Sequence, residues 1–329
     1  MPNKVSFFAP GKLFIAGEYA VTESNGEAIL FPVKKGITVT IESQPKSMLK
    51  NIQYPNENIK FEEIHEIQNP YLRLALEVMR QWVTVQDIKW KHIKITIDSS
   101  LVADQGKYGL GSSGAVTVAL IGALLKFYKF EFTPRQLYQL AVIATIQNYQ
   151  DTSFGDIACS SYNQPIHYRK FAKTMIPLIK TLHVHTLLKM EWQDLMIEPI
   201  QGNMHKPLVI FSGTSANSYD MVNRVKSSIH EDWVKQSNHL ITHYLIQQDV
   251  KIVDKLQKHL LKLSQLSGVE FITTNMSKIM KVAEDLGGHS KMSGAGGGDC
   301  VLTFLPKANH SKFKTKMKEL KFLVLSDII

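Results

Sequence analysis

The stretch Lys107-Tyr108-Gly109-Leu110-Gly111-Ser112-Ser113-Gly114-Ala115 puts three glycines and two serines directly ahead of an apolar run, Val116 to Phe127. The run holds no proline, and its apolar residues go nearly all the way round, which predicts a buried helix. A Gly/Ser loop that opens a helix aims unpaired backbone N–H groups and the positive end of the helix dipole at one point. That point suits phosphate, and the serine hydroxyls can bond phosphate oxygens or a metal ion. The same composition also suits a turn that only caps a buried helix. Gly109, Gly111 and Gly114 match the Gly-x-Gly-x-x-Gly spacing of a dinucleotide site, but that fingerprint follows directly on a strand. Here ten residues separate the nearest strand candidate, His92 to Asp98, from Gly109, and the Walker pattern is absent. The stretch is therefore expected to be a phosphate loop of another kind.

Two single residues and two further loops could join it. Pro10-Gly11 is turn chemistry, and it sets Lys12 at the start of a short apolar segment, where lysine does not suit packing. Lys12 is either a surface lysine at a turn or a cation aimed at an anion. Asp156 lies between Gly155 and the apolar Ile157-Ala158. It can cap the helix that follows or serve chemistry. Ser212 to Ser218, with Ser215 at its centre, is a small polar loop before a helix. Lys291 to Cys300 carries four glycines in five residues, which lets backbone approach a ligand or another loop closely. His239 and His243 stand four apart on a predicted helix with no accompanying acid, and read as surface residues.

The elements that must position these residues are legible from their periods. Val5 to Ala9 reads as a strand, and Ile37, Val39 and Ile41 alternate with polar residues as another. Ile93, Ile95 and Ile97 mark a half-buried strand at 92–98. Asn69-Pro70 opens a helix with Leu72, Ala75, Leu76, Met79 and Val83 on one face. Thr133-Pro134-Arg135-Gln136 is a capping box that opens a helix to about Tyr149. Residues 166–211 read as strands and loops, and helices dominate from there to about Leu286. Gly287-Gly288 ends the last of them, and Cys300 to Phe304 forms a strand. The boundary between two domains is expected between about 175 and 205, giving halves of 1–190 and 191–329.

Composition narrows the class. The chain has 329 residues, 44% hydrophobic and 20% charged, as in a soluble globular protein. The formal net charge of +9 is spread without a long basic run, so nucleic acid is not an expected partner. A diffuse positive field favours small anionic substrates. Two cysteines without a Cys-x-x-Cys pattern suit a reducing compartment. No apolar run is long enough to span a membrane and no signal peptide is evident, so the expected location is cytoplasmic.

The three loops, Pro10-Gly11-Lys12, Gly109 to Ala115 and Ser293 to Gly298, together resemble the three motifs of the GHMP kinase superfamily, in order and spacing. Ala9 to Val21 and Ser293 to Cys300 look most like the phosphomevalonate kinase family within it. The resemblance implies a two-domain α+β fold. Its N-terminal half would be like the second domain of ribosomal protein S5 and its C-terminal half ferredoxin-like. It implies an enzyme that uses ATP and Mg²⁺ and phosphorylates mevalonate 5-phosphate, acting as a monomer or homodimer. Lys12 and Asp156 become the catalytic pair, each expected to stabilise the other's charged form. Gly109, Leu110, Gly111, Ser112, Ser113, Gly114 and Ala115 become the nucleotide loop, with Ser113 on the metal. Glu18, Tyr19, Lys107, Ser153, Ser215, Ser293, Gly294, Ala295 and Gly296 become substrate-side residues. Mevalonate kinases supply a metal-binding acid some ten residues before the aspartate, and here Thr145 to Gln150 offers none.

Overall fold

The computed structural model describes residues 4–103, 106–148, 152–202 and 204–325, with only the backbone of Ala103, Gly106 and Lys107. The alternating segments form a first sheet of β1 (Lys4–Ala16), β2 (Glu27–Ser43), β3 (Ser47–Asn51), β4 (Ile59–Phe61) and β5 (Ile93–Ser99). β6 (Val102–Ala103) and β7 (Gly106–Lys107) pair as a separate ribbon. β8 (Ile166–Arg169) and β9 (Met196–Pro199) complete the first sheet. β2 is its spine. β1 runs antiparallel along it, β5 takes Ile37–Ser43, and β8 takes Glu27–Leu30. Ile37, Val39 and Ile41 face inward with Ile93, Ile95 and Ile97, as the alternation predicts.

β1 differs from the expected short strand and turn. The chain does not reverse at Pro10-Gly11; it stays paired with β2, and the register slips between Pro10 and Lys12 and again between Phe14 and Ala16. Bulges of this kind re-aim a side chain without ending the strand.

Helices cover the first sheet. α1 (Pro70–Val85) starts as predicted, with Asn69 Oδ1 accepting the Tyr71 N–H and all five expected apolar residues buried. α2 (Ser112–Phe127) is buried on nearly every side and packs on β1, α1 and β2. α3 (Pro134–Ile146) carries the full capping box between Thr133 and Gln136. Tyr149 lies outside the described residues. α4 (Gly155–Tyr162) follows. Residues 166–211 then depart from the expected strands and loops, because α5 (Met175–Thr181) and α6 (Val184–Lys189) lie among them.

The second sheet has the order β11-β12-β10-β13, from β10 (Leu208–Phe211), β11 (His289–Ser293), β12 (Cys300–Phe304) and β13 (Leu323–Val324). Between these strands lie α7 (Ser218–Val225), α8 (Glu231–Gln247), α9 (Ile252–Ser267), α10 (Thr274–Asp285) and α11 (His310–Glu319). None of the helices is long and apolar enough to cross a membrane, among the described residues. Because β9 pairs with β8, the first half extends past residue 190. We propose the division between Pro199 and Leu208. The apolar cores cross it in both directions. Phe211, Tyr244 and Cys300 belong to the core under the first sheet, while Tyr19 and Ala20 belong to the core under the second.

Candidate active site

Lys12 enters from the first bulge of β1. Its backbone N–H donates to the Leu110 carbonyl at 2.8 Å, and Nζ donates to the Gly109 carbonyl at 3.0 Å. The residue is buried, with only 8% of its surface exposed. A lysine this buried is not a turn lysine in solvent, so the cation reading is the one the fold supports.

Asp156 comes from the first turn of α4. The residue at the N-cap is Phe154, not Asp156, and its backbone is left-handed at φ 51°. That conformation is strained for an aromatic residue and persists only where packing imposes it. Here Phe154 is buried and stacks on Phe171 at 5.6 Å. The sharp turn delivers Asp156 to the start of α2. Its Oδ1 accepts the Ile157 N–H at 3.0 Å, and the Gly114 N–H also bonds the carboxylate.

Gly111, at φ 79°, precedes α2 and lies against both side chains. A Cβ there would come within 3.0 Å of Lys12 Cγ and 3.2 Å of Asp156 Cβ. A Cβ at Gly114 would come within 2.5 Å of Asp156 Oδ2. The glycines therefore make room for the lysine and the aspartate, a use the phosphate-loop reading does not anticipate. Burial pushes Asp156 above the usual carboxylate range, with Lys12 the chief opposing influence and the Ile157 and Gly114 N–H groups behind it. Lys12 does stabilise the charged carboxylate, as expected, but desolvation outweighs it and the net shift is upward.

A cavity of about 660 Å³ opens over this pair. Gly109, Leu110, Gly111, Ser112, Ser113 and Gly114 line it, as do Glu18, Tyr19, Ser153, Ser215, Gly294 and Ala295. Three expected residues fall elsewhere. The Ala115 N–H is spent on the Gly111 carbonyl at 3.1 Å, the first helical bond of α2, so it cannot face a ligand. Ser293 Oγ accepts the Phe14 N–H at 3.0 Å and donates to the Phe14 carbonyl at 3.1 Å, which clamps β11 to β1. Gly296 packs on Phe271, where a Cβ would meet the carbonyl at 2.7 Å. The side chain of Lys107 lies outside the described residues.

Glu18 and Tyr19 line the cavity, yet their polar atoms are engaged across the two halves. The Glu18 carboxylate is ion-paired with Lys291, whose Nζ also donates to the Met292 carbonyl at 2.6 Å. Both side chains are buried. Desolvation raises the Glu18 pKa and lowers that of Lys291, each opposed by the partner's charge. The Tyr19 hydroxyl donates to the Ala295 carbonyl at 2.6 Å, and its ring stacks on Phe271 at 4.9 Å.

Asp299 is the functional candidate the sequence reading passed over. It lines the cavity from the third loop, is 3% exposed, and has a left-handed backbone at φ 59°. Its Oδ1 accepts the Ala216 N–H at 3.1 Å, and its side chain lies against Gly109. Burial raises its pKa, opposed by that N–H and by the charge of Lys12. An acid set between a glycine run and a strand was the available signal.

Magnesium prefers oxygen donors and commonly takes one or two carboxylates together with substrate phosphates. The cavity has Asp156 and Asp299 as buried carboxylates and the Ser112, Ser113 and Thr145 hydroxyls on its wall. This donor set fits Mg²⁺ held jointly with a phosphate chain. It forms no closed protein cage: among the described residues no group of three His, Cys, Asp or Glu could hold a metal alone.

A helix start open to phosphate beside a buried ammonium and carboxylate, walled by two α+β halves, defines a two-domain small-molecule kinase. Residues 71–164 match the GHMP kinases N terminal domain and residues 244–321 the GHMP kinases C terminal domain, between them more than half of the chain. The chain belongs to the GHMP kinases. It is 26% identical to a phosphomevalonate kinase of Streptomyces sp. strain CL190, over 90% of this chain and 88% of that one. The crystal structure of a Listeria innocua protein superposes with a TM-score of 0.89 at 28% identity, covering 98% of this chain and 97% of the other. A Streptococcus pneumoniae phosphomevalonate kinase in complex with phosphomevalonate and AMPPNP has the same fold, with a TM-score of 0.87 at 21% identity over 98% of both chains.

Proposed function

We propose that the chain transfers the γ-phosphoryl group of ATP to mevalonate 5-phosphate, giving mevalonate 5-diphosphate and ADP, in the mevalonate route to isoprenoids. The observation that carries a phosphoryl transfer is the meeting of Lys12, Asp156 and the Gly111–Gly114 helix start in one cavity. The choice of acceptor is supported by the relatives. The Streptomyces enzyme and a 23% identical protein of Saccharolobus solfataricus are phosphomevalonate kinases, and each aligns over about nine-tenths of this chain.

The division of labour follows from the positions. Ser112 and Ser113, in the first turn of α2, present N–H groups to the ATP phosphates, and the Ser113 hydroxyl would help to hold magnesium. Bound magnesium would neutralise charge on the phosphate chain. Lys12, anchored on the Gly109 carbonyl, orients the acceptor and stabilises charge on the group in transfer. The acceptor is a phosphate, already largely anionic at neutral pH, so it needs little help losing a proton. Asp156 acts chiefly by positioning Lys12 and the acceptor.

ATP consumption measured in parallel with mevalonate, mevalonate 5-phosphate, homoserine and galactose tests the reading. Turnover is expected with mevalonate 5-phosphate alone. Turnover of mevalonate but not of its phosphate would overturn the assignment of the acceptor.

A further inference from the structure

A second recess lies apart from the cavity and shares no lining residue with it. It is a groove of about 510 Å³ between α8 and α9, walled by Lys235, Lys255, Lys258 and Lys262, with Leu240 and His259 beneath. Among the described residues, no carboxylate lines it. Lys255, Lys258 and Lys262 are spaced three and four apart, so they stand in one row on the exposed face of α9. Like charges in such a row repel one another. Lys235 has Glu231 at 2.8 Å as a partner, whereas Asp254, next to Lys255, is turned to His289 at 2.7 Å. Among the described residues, no ion pair reaches Lys255, Lys258 or Lys262.

The floor of the groove is built rather than loose. His259 stacks on Trp233 with ring centroids 4.3 Å apart and planes at 12°. The His259 Nε2–H donates to the Trp233 carbonyl at 3.1 Å, and the Trp233 indole N–H donates to the His259 carbonyl at 3.3 Å. Because a carbonyl only accepts, Nε2 carries the proton and Nδ1 is left as an acceptor. Burial holds the His259 pKa down to about 4, so the ring is neutral at neutral pH. The positive charge of the groove thus belongs to the lysines, held on two helices whose spacing the Trp233–His259 stack fixes.

We propose that the α8–α9 groove is a second ligand site for a small molecule carrying linked phosphate groups. Several ammonium groups around a recess suit charge that is multiple and close-set, as in a di- or triphosphate. The recess favours a small ligand over a nucleic acid strand, since among the described residues its wall has only the His239 imidazole as an exposed ring and no Phe, Tyr or Trp for successive bases to stack on.

Calorimetry with inorganic tripolyphosphate tests the site on protein without nucleotide, because AMPPNP carries linked phosphates itself and would compete for the groove as well as fill the kinase cavity. Saturable binding is expected, sensitive to salt. Lys255→Gln/Lys258→Gln/Lys262→Gln should weaken it at least tenfold while ATP turnover stays normal. Lys258→Gln alone should weaken it several-fold, which guards against a folding defect in the triple variant. Absence of saturable binding to the wild-type protein, or equal affinity in the variants, would overturn the proposal. So would lysine-dependent binding of single-stranded RNA or phosphatidylserine vesicles without any binding of tripolyphosphate.

Discussion

Lys12 and Asp156 make opposite demands on the protein. Lys12→Met and Asp156→Asn should each lower turnover by about 10²–10³, the usual cost of losing one preorganised charged group, and the double variant should be little worse than either. Steady-state kinetics on folded protein decides this. The carboxylate's raised pKa adds a stability prediction with a definite sign. A group whose folded pKa lies above its unfolded value contributes stability below the unfolded pKa and loses it as pH rises through the folded one. At neutral pH the buried Asp156 is therefore a burden, and Asp156→Asn should melt at the same temperature or higher. A clear drop in melting temperature would return Asp156 to a structural role. The acid limb of the turnover profile should lie above the ordinary carboxylate range and move higher in Lys12→Met, which removes the main opposing charge. Gly114→Ala should lower turnover by about 10², because its Cβ displaces Asp156 Oδ2 and misplacement of about 1 Å costs that much. Much of this site is legible in the sequence, because small residues and a misfit lysine are local signals. What is hidden is who makes room for whom: Gly111 and Gly114 serve side chains that arrive from 99 and 42 positions away in the chain, as their numbers show.

At the scale of elements, the join between β1 and β11 matters most. Glu18 and Lys291 form a fully buried ion pair across the two halves. Removing one partner leaves a buried charge unpaired, typically at a cost of about 3–5 kcal/mol, whereas replacing both by groups of similar shape is often neutral. Glu18→Gln and Lys291→Met should each be strongly destabilised in denaturant titrations, and the double variant should recover most of the loss. Additive losses would show that the two do not act as a pair. The sequence shows Glu18 beside Tyr19 but gives no sign that its partner is Lys291, since nothing local links a β-strand lysine to an acid so distant. The helices with strong caps and clean periods, α1 and α3, read directly from the sequence. α5 and α6 do not, for a physical reason: seven and six residues show too little of a period, and Pro177 in α5 looks like a breaker although the first turn tolerates it. The continuity of β1 is hidden for a similar reason, because a bulge and a turn use the same residues.

At the scale of the whole molecule, two halves are visible but two independent units are not. The halves do not have separate cores, because Phe211, Tyr244 and Cys300 complete the first core and Tyr19 and Ala20 enter the second. Differential scanning calorimetry should therefore give one cooperative transition, with calorimetric and van't Hoff enthalpies in agreement. Two resolved transitions would show that the halves unfold separately. The cavity gives a reason for this coupling, since residues 12–19 and 294–299 both contribute to its lining and must hold a fixed spacing.

The three stitches between residues 14–19 and residues 291–295, Phe14 to Ser293, Tyr19 to Ala295 and Glu18 to Lys291, join residues 279, 276 and 273 positions apart. During synthesis the chain leaves the ribosome from its N-terminus. Glu18 then waits without its partner until residue 291 has been made, and Lys12 waits for Asp299, which joins it beside Gly109. The cavity is thus incomplete in a nascent chain until β11 and the glycine-rich loop after it have been made.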